Sequence, residues 1–185
     1  MKDTAEAFIK GVRSALGGMN LEHVIAIARM LIETRDGGRR VFVAGNGGSA
    51  AASSHLVNDL NEMPKRAGRA PIRALDLASN VAWLTATAND EGFERVFVSQ
   101  LVNLAECGDL LLLISVSGNS PNLVAAARYA SDRGMKRVGL LGCDGGALLG
   151  MLDESVWIPC PKGDYVTVES VHAAICHLLA VLVSA

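Results

Sequence analysis

The chain has 185 residues, of which 50% are apolar, 19% charged and 4% aromatic. At roughly 150 residues per domain, that length fits one domain with a helical extension, and a chain this apolar is not intrinsically disordered. Seventeen basic residues against nineteen acidic ones give a net charge of −2. The basic excess that a phosphate backbone attracts is missing, and four Phe, two Trp and two Tyr are too few for base-stacking platforms, so nucleic acid is not an expected partner.

Apolar runs such as 110–114 and 178–183 fall far short of the ~20 residues that cross a bilayer. Lys2, Asp3, Glu6, Lys10 and Arg13 interrupt the first residues at helical intervals, unlike a signal peptide. No membrane association and a cytoplasmic address are therefore expected. The four cysteines, Cys107, Cys143, Cys160 and Cys176, stand 36, 17 and 16 residues apart with no CxxC pair, and are expected to be reduced core or near-core residues.

In chain order, a helix is expected over 4–16 and a second from an Asn20 cap to Gly37-Gly38, forming an N-terminal extension over 1–38. Strand-length apolar runs follow at 40–44, 72–76, 110–115, 137–141 and 155–158. Amphipathic segments at 49–62, 79–88, 92–105, 119–133 and 167–184 alternate with them. Strands apolar on both faces and separated by helices predict a doubly wound α/β sandwich over 39–185 with a parallel sheet. The polar stretch 62–69, in which Pro64 breaks helix periodicity, is expected to be an exposed loop, and Asp144-Gly145-Gly146 a plain turn.

Two loops carry chemistry. The first strand runs into Gly45-Asn46-Gly47-Gly48-Ser49 and directly into an alanine-rich helix. Glycines there let the backbone approach a ligand, and the helix start offers free N–H groups and a positive dipole end to an anion. The spacing is neither G-x-G-x-x-G nor a Walker loop, since no lysine follows, so nucleotides are disfavoured. The third strand ends in Ser115-Val116-Ser117-Gly118-Asn119-Ser120-Pro121, where three hydroxyls beside a helix start suit a phosphate monoester without a lysine. Ligand-type residues project from two further places. His55 and Asp59 share a face of the helix after the first loop, and Glu169, His172 and His177 lie on the last helix. At ~100° per residue His172 lies about 60° to one side of Glu169 and His177 about 80° to the other. His172 alone on an apolar helix reads as a core or interface histidine.

The Gly45–Ala50 and Ser115–Ser120 motifs, with Ala86-Thr87-Ala88-Asn89-Asp90 between them, resemble the sugar isomerase (SIS) domain, in particular its phosphoheptose isomerase (sedoheptulose 7-phosphate isomerase) branch. The resemblance covers nearly the whole chain. It implies a three-layer sandwich around a five-stranded parallel sheet of flavodoxin-like order, a homotetramer with active sites between subunits, and one zinc ion per site. His55, Asp59, Glu169 and His177 match that family's zinc ligands, although the family has Glu at position 59 and Gln at position 169. By the same resemblance Asp59 is the base and His177 the acid of an aldose–ketose isomerisation, with Glu169 as an alternative base. Asn46, Gly47, Gly48, Ser49, Ser115, Val116, Ser117, Ser120 and Glu169 would bind substrate. Asn89 and Asp90, expected just beyond a helix end, would contact sugar hydroxyls.

The expected function is conversion of D-sedoheptulose 7-phosphate to D-glycero-D-manno-heptose 7-phosphate, within heptose biosynthesis. A catalytically silent phosphosugar sensor, or a partner-binding protein like the relatives that bind the replication initiator, is the alternative. A pure binder has no need for His55, Asp59, Glu169 and His177 together. Another sugar phosphate is a third possibility.

Overall fold

Side chains alternate between the two faces of a strand, and here both sets are apolar. Val41, Val43, Leu110, Leu112 and Ile114 join one buried cluster, while Phe42, Ala44, Leu111 and Leu113 join another. A sheet of this kind must be covered on both sides.

The computed structural model describes residues 1–161 and 163–185. Its strands are β1 (Arg40–Gly45), β2 (Arg73–Asp76), β3 (Leu110–Ser115), β4 (Lys136–Gly142) and β5 (Glu154–Ile158). They form one all-parallel sheet in the order β2-β1-β3-β4-β5, with Gly45 beside Ile114 and Gly142 beside Ile158. This is the flavodoxin-like order, and its winding reverses between β1 and β3. The helices are α1 (Lys2–Gly17), α2 (Leu21–Asp36), α3 (Gly48–Arg66), α4 (Val81–Asp90), α5 (Val98–Leu104), α6 (Pro121–Asp132), α7 (Gly146–Leu149) and α8 (Tyr165–Ser184). One face of the sheet carries α2, α3 and α8, with α1 laid over α8, and the other carries α5, α6 and α7. Asn20 caps α2 as expected, its side chain accepting the Glu22 N–H at 3.0 Å.

The structure departs from the sequence reading in several places, among them Cys107, which is exposed rather than core or near-core, and Gly146, which opens α7 rather than closing a plain turn. The 62–69 segment is not a loop throughout, because α3 continues to Arg66 with Pro64 buried inside it. Proline has no N–H for the Leu60 carbonyl four residues back, and the Ile72 N–H fills that vacancy at 3.1 Å. The 92–105 segment is not one helix but a 3-10 turn, Phe93–Arg95, followed by α5. Val96, Phe97, Val98 and Leu101 are all buried there, and consecutive apolar positions cannot share one face of a continuous helix. Asn89 and Asp90 form the last turn of α4 rather than lying beyond it.

The helix α8 has a mean hydropathy of 1.9 over an 18-residue window, so by length and composition it could cross a membrane, but half of that window is buried in the fold. It packs along α3, α2 and α1. His172, at 1% exposure, sits in this core as expected, and neither ring nitrogen has a hydrogen-bond partner among the described residues. Burial pushes its pKa down to about 4, against a smaller opposing contribution from the Leu141 backbone. In the unfolded chain the imidazole titrates near 6.5, so below that pH the unfolded state takes up a proton that the folded state refuses. Stability should therefore fall as pH drops from 6.5 toward 4, by about 3 kcal/mol from this residue. Urea titrations at pH 7 and pH 4.5 should show this loss, and His172→Leu should remove most of the difference.

Candidate active site

In an open parallel sheet the ligand crevice lies beyond the carboxyl ends of the strands where the winding reverses. Here the glycine loop follows β1 and the serine loop follows β3, so the two flank that point. They line one cavity of about 270 Å³ that takes in Asn46, Gly47, Gly48 and Ser49 from the first loop and Ser115, Val116, Ser117 and Ser120 from the second. Ile114, Leu123, Tyr165 and Glu169 complete the lining, and among the described residues no lysine or arginine contributes to it.

Each serine keeps a proton to give. Ser115 Oγ accepts the Gly118 N–H at 3.0 Å and Ser117 Oγ accepts the Asn119 N–H at 3.3 Å. Ser120 stands at the N-cap of α6 without making a side-chain cap bond. A hydroxyl that accepts can still donate, so three O–H groups and the start of α6 remain for an anion. Pro121 occupies the first turn, where its missing N–H costs nothing.

A reciprocal amide pair ties the loops together. Asn46 Nδ2 donates to Asn122 Oδ1 at 3.0 Å, Asn122 Nδ2 donates to Asn46 Oδ1 at 2.8 Å, and the Leu123 N–H also reaches Asn122 Oδ1 at 3.0 Å. Asn122 is 1% exposed. Asn122→Ala would strand the Asn46 amide and should cost about 1–3 kcal/mol of unfolding free energy. Urea titration measures that cost, and calorimetry with inorganic phosphate should show weaker binding as the loops separate.

The carboxylate of Glu169 lies over Gly48, where a Cβ on residue 48 would come within 2.5 Å of Oε2. Glycine at this position is what lets α8 bring that carboxylate to the start of α3.

Two turns further along the same helices is a second group. His55 Nε2 lies 3.3 Å from Asp59 Oδ2 and 3.2 Å from His177 Nε2, and one ligand atom from each residue falls within 4.8 Å of the others. Asp59 is nearly buried and also accepts the Asn58 amide at 3.2 Å, while both histidines are exposed. Behind it, Cys176 is held as a thiol, its pKa pushed up to about 12 by burial and then by the charge of Asp59. The donor set fits a divalent transition metal: two imidazole nitrogens and one carboxylate oxygen are zinc ligand types, and tetrahedral bonds of about 2.0–2.1 Å separate neighbouring ligand atoms by roughly 3.3 Å.

Of the four residues expected to share a metal, the structure brings His55, Asp59 and His177 together and places Glu169 in the cavity instead. Asn89 and Asp90 are exposed, bonded to each other at 2.7 Å, and do not line the cavity. Tyr165, in the cavity lining, and Asn122, which ties the two loops together from behind it, are residues that sequence reasoning missed. For Tyr165 the one available signal was its place one turn before Glu169.

Residues 7–142 match the SIS domain family. The phosphoheptose isomerase of Chlorobium phaeovibrioides is 40% identical over 161 residues, covering 86% of this chain and 75% of that protein. That of Geobacter sulfurreducens is 34% identical over 99% of this chain and 97% of its own length. Among solved structures, the phosphoheptose isomerase of Neisseria gonorrhoeae superposes with a TM-score of 0.89 at 28% identity, covering 98% of this chain and 97% of that one. The chain belongs to the SIS domain family, in its phosphoheptose isomerase branch.

Proposed function

We propose that the chain isomerises a phosphorylated ketose to its aldose, with D-sedoheptulose 7-phosphate as substrate and D-glycero-D-manno-heptose 7-phosphate as product. The observation that carries this reading is one cavity at the switch point that joins the glycine loop, the serine loop and the Glu169 carboxylate. The helices that line it carry the His55–Asp59–His177 group two turns further on. A phosphosugar sensor would need the first feature and not the second.

Ser115, Ser117 and Ser120 hold the phosphate through neutral donors, the chemistry by which a chain of net charge −2 takes an anionic sugar. In a heptose 7-phosphate the reacting C1 and C2 lie at the opposite end of the carbon chain from that phosphate. A carboxylate must remove the C1 proton and return it to C2 of the enediol, while an acid protonates the sugar oxygen. We assign the proton transfer to Asp59 and the acid role to His177, with Glu169 orienting the sugar in the cavity. His55, Asp59 and His177 would hold zinc, which when bound supplies positive charge to polarise the sugar oxygens.

The histidines of the cluster are exposed, and Asn89 and Asp90 stand outside the cavity. Both facts favour a homotetramer in which a neighbouring chain completes each site. Light scattering should show a tetramer, and a stable monomer would remove the inter-subunit site. The activity test is incubation of purified protein with sedoheptulose 7-phosphate and zinc, followed by separation of the sugar phosphates. Absence of the aldose product overturns the substrate assignment.

A further inference from the structure

Parallel neighbours leave a sheet at the same edge, so residues that follow paired strand ends meet. Gly142 of β4 pairs with Ile158 of β5, and Cys143 and Cys160 come just after them. Their Sγ atoms lie 3.0 Å apart, closer than unbonded sulfurs usually pack, and both are free thiols. Cys143 is the one non-glycine residue with positive φ among those described, at +49°, a conformation that persists only where its surroundings hold it. The Trp157 indole N–H donates to its carbonyl at 2.9 Å. A second cavity, of about 220 Å³, opens onto both sulfurs and is lined by Ser117, Asn119, Cys143, Asp144, Cys160 and Tyr165. Ser117 and Tyr165 also line the phosphosugar cavity.

We propose that Cys143 and Cys160 form a reversible thiol–disulfide site that takes a low-molecular-weight disulfide as oxidant and slows the enzyme when crosslinked. The Cys143 thiolate attacks one sulfur of the small disulfide and releases its first thiol. The Cys160 thiolate then attacks Cys143 Sγ and releases the second. One S–S bond is broken and one is formed, two electrons pass to the small disulfide, and the two protein thiol protons end on the released thiols. Cys143 acts first, because burial and the contact with Cys143 push the Cys160 thiol up to about 11.

The effect on the active site follows from what each cysteine is attached to. Beyond Cys143, the Ala147 N–H donates to Asn119 Oδ1 at 2.9 Å and the Leu148 N–H to the Gly118 carbonyl at 3.0 Å, so this turn braces the serine loop. Beyond Cys160 the chain enters α8, which brings Tyr165 and Glu169 to the cavity. A disulfide of about 2.05 Å therefore fixes the two walls of the cavity to each other and removes the movement needed to admit and release a sugar.

The test is to equilibrate reductant-free protein with glutathione disulfide, map its peptides without reduction, and measure turnover of sedoheptulose 7-phosphate. Expected are a peptide joining residues 143 and 160 and turnover lower by about fivefold, restored by dithiothreitol. Cys160→Ser should keep a mixed disulfide on Cys143, and Cys143→Ser should keep its turnover in glutathione disulfide. The proposal is overturned if no 143–160 crosslink forms, or if the crosslinked protein works at the rate of the reduced one. The slowing rests on the isomerase reading. Reduced protein with no turnover would refute that reading, and the crosslink map would then decide the thiol site alone.

Discussion

Asp59→Asn is expected to lower turnover of the sugar phosphate by about 10²–10⁴-fold, the range that a positioned acid or base contributes. The substitution keeps the shape of the side chain and its contact with Asn58, 3.2 Å away, but removes the charge and the basic oxygen beside His55. Two roles are at stake, ligand and base, and metal content separates them. If Asp59 moves the proton, Asp59→Asn loses turnover even when saturating zinc fills the site. If it serves only as a ligand, excess zinc restores the rate, because the two histidines remain. Glu169→Gln is the companion experiment. It installs the residue that the phosphoheptose isomerase pattern carries at this position, and an amide can still orient a sugar hydroxyl. Turnover should stay within about tenfold of wild type. A loss as deep as that of Asp59→Asn would transfer the proton to Glu169, whose carboxylate already lies in the cavity.

The sequence made the sheet legible because its signal is local. Leu110 to Ser115 is apolar at every position but the last, and the strand occupies those six residues. The two anion loops were legible for the same reason, each being a contiguous run after a strand. What escaped depends on residues distant in sequence. Asn122 looks like an ordinary first-turn residue until the fold sets it against Asn46, 76 positions earlier. The sixteen residues between Cys143 and Cys160 carry no motif, yet adjacent parallel strands bring the two into contact. Pro64 signalled a break because proline lacks an N–H, and only the Ile72 N–H, arriving from the segment before β2, shows how the helix survives it. The division of the expected metal set was partly readable. Glu169 and His177 differ by about 80° and two turns on α8, which keeps one in the cavity and the other with His55.

Gly118→Ala should be the most damaging single methyl in the protein. Gly118 holds φ at +62°, and a Cβ there would lie 1.9 Å from the Gly145 carbonyl oxygen and 2.5 Å from its carbon. Both are backbone atoms of the turn that braces the serine loop, so no side chain can swing aside to relieve the overlap. Left-handed backbone strain and overpacking together should cost about 3–5 kcal/mol, a large part of a typical domain's stability. Phosphate binding should fall with it, because shifting residue 118 breaks the hydrogen bonds that Ser115 Oγ and the Leu148 N–H make to this loop. Gly38→Ala, at the left-handed cap of α2, is the control. Its φ of +68° carries left-handed backbone strain, but nothing lies within 4 Å of the added carbon. It should cost about 1–2 kcal/mol. Urea titration of the two variants reads the difference directly. Equal losses would mean that the serine loop is not packed against the Gly145 turn, and that its three hydroxyls are held in place by some other contact.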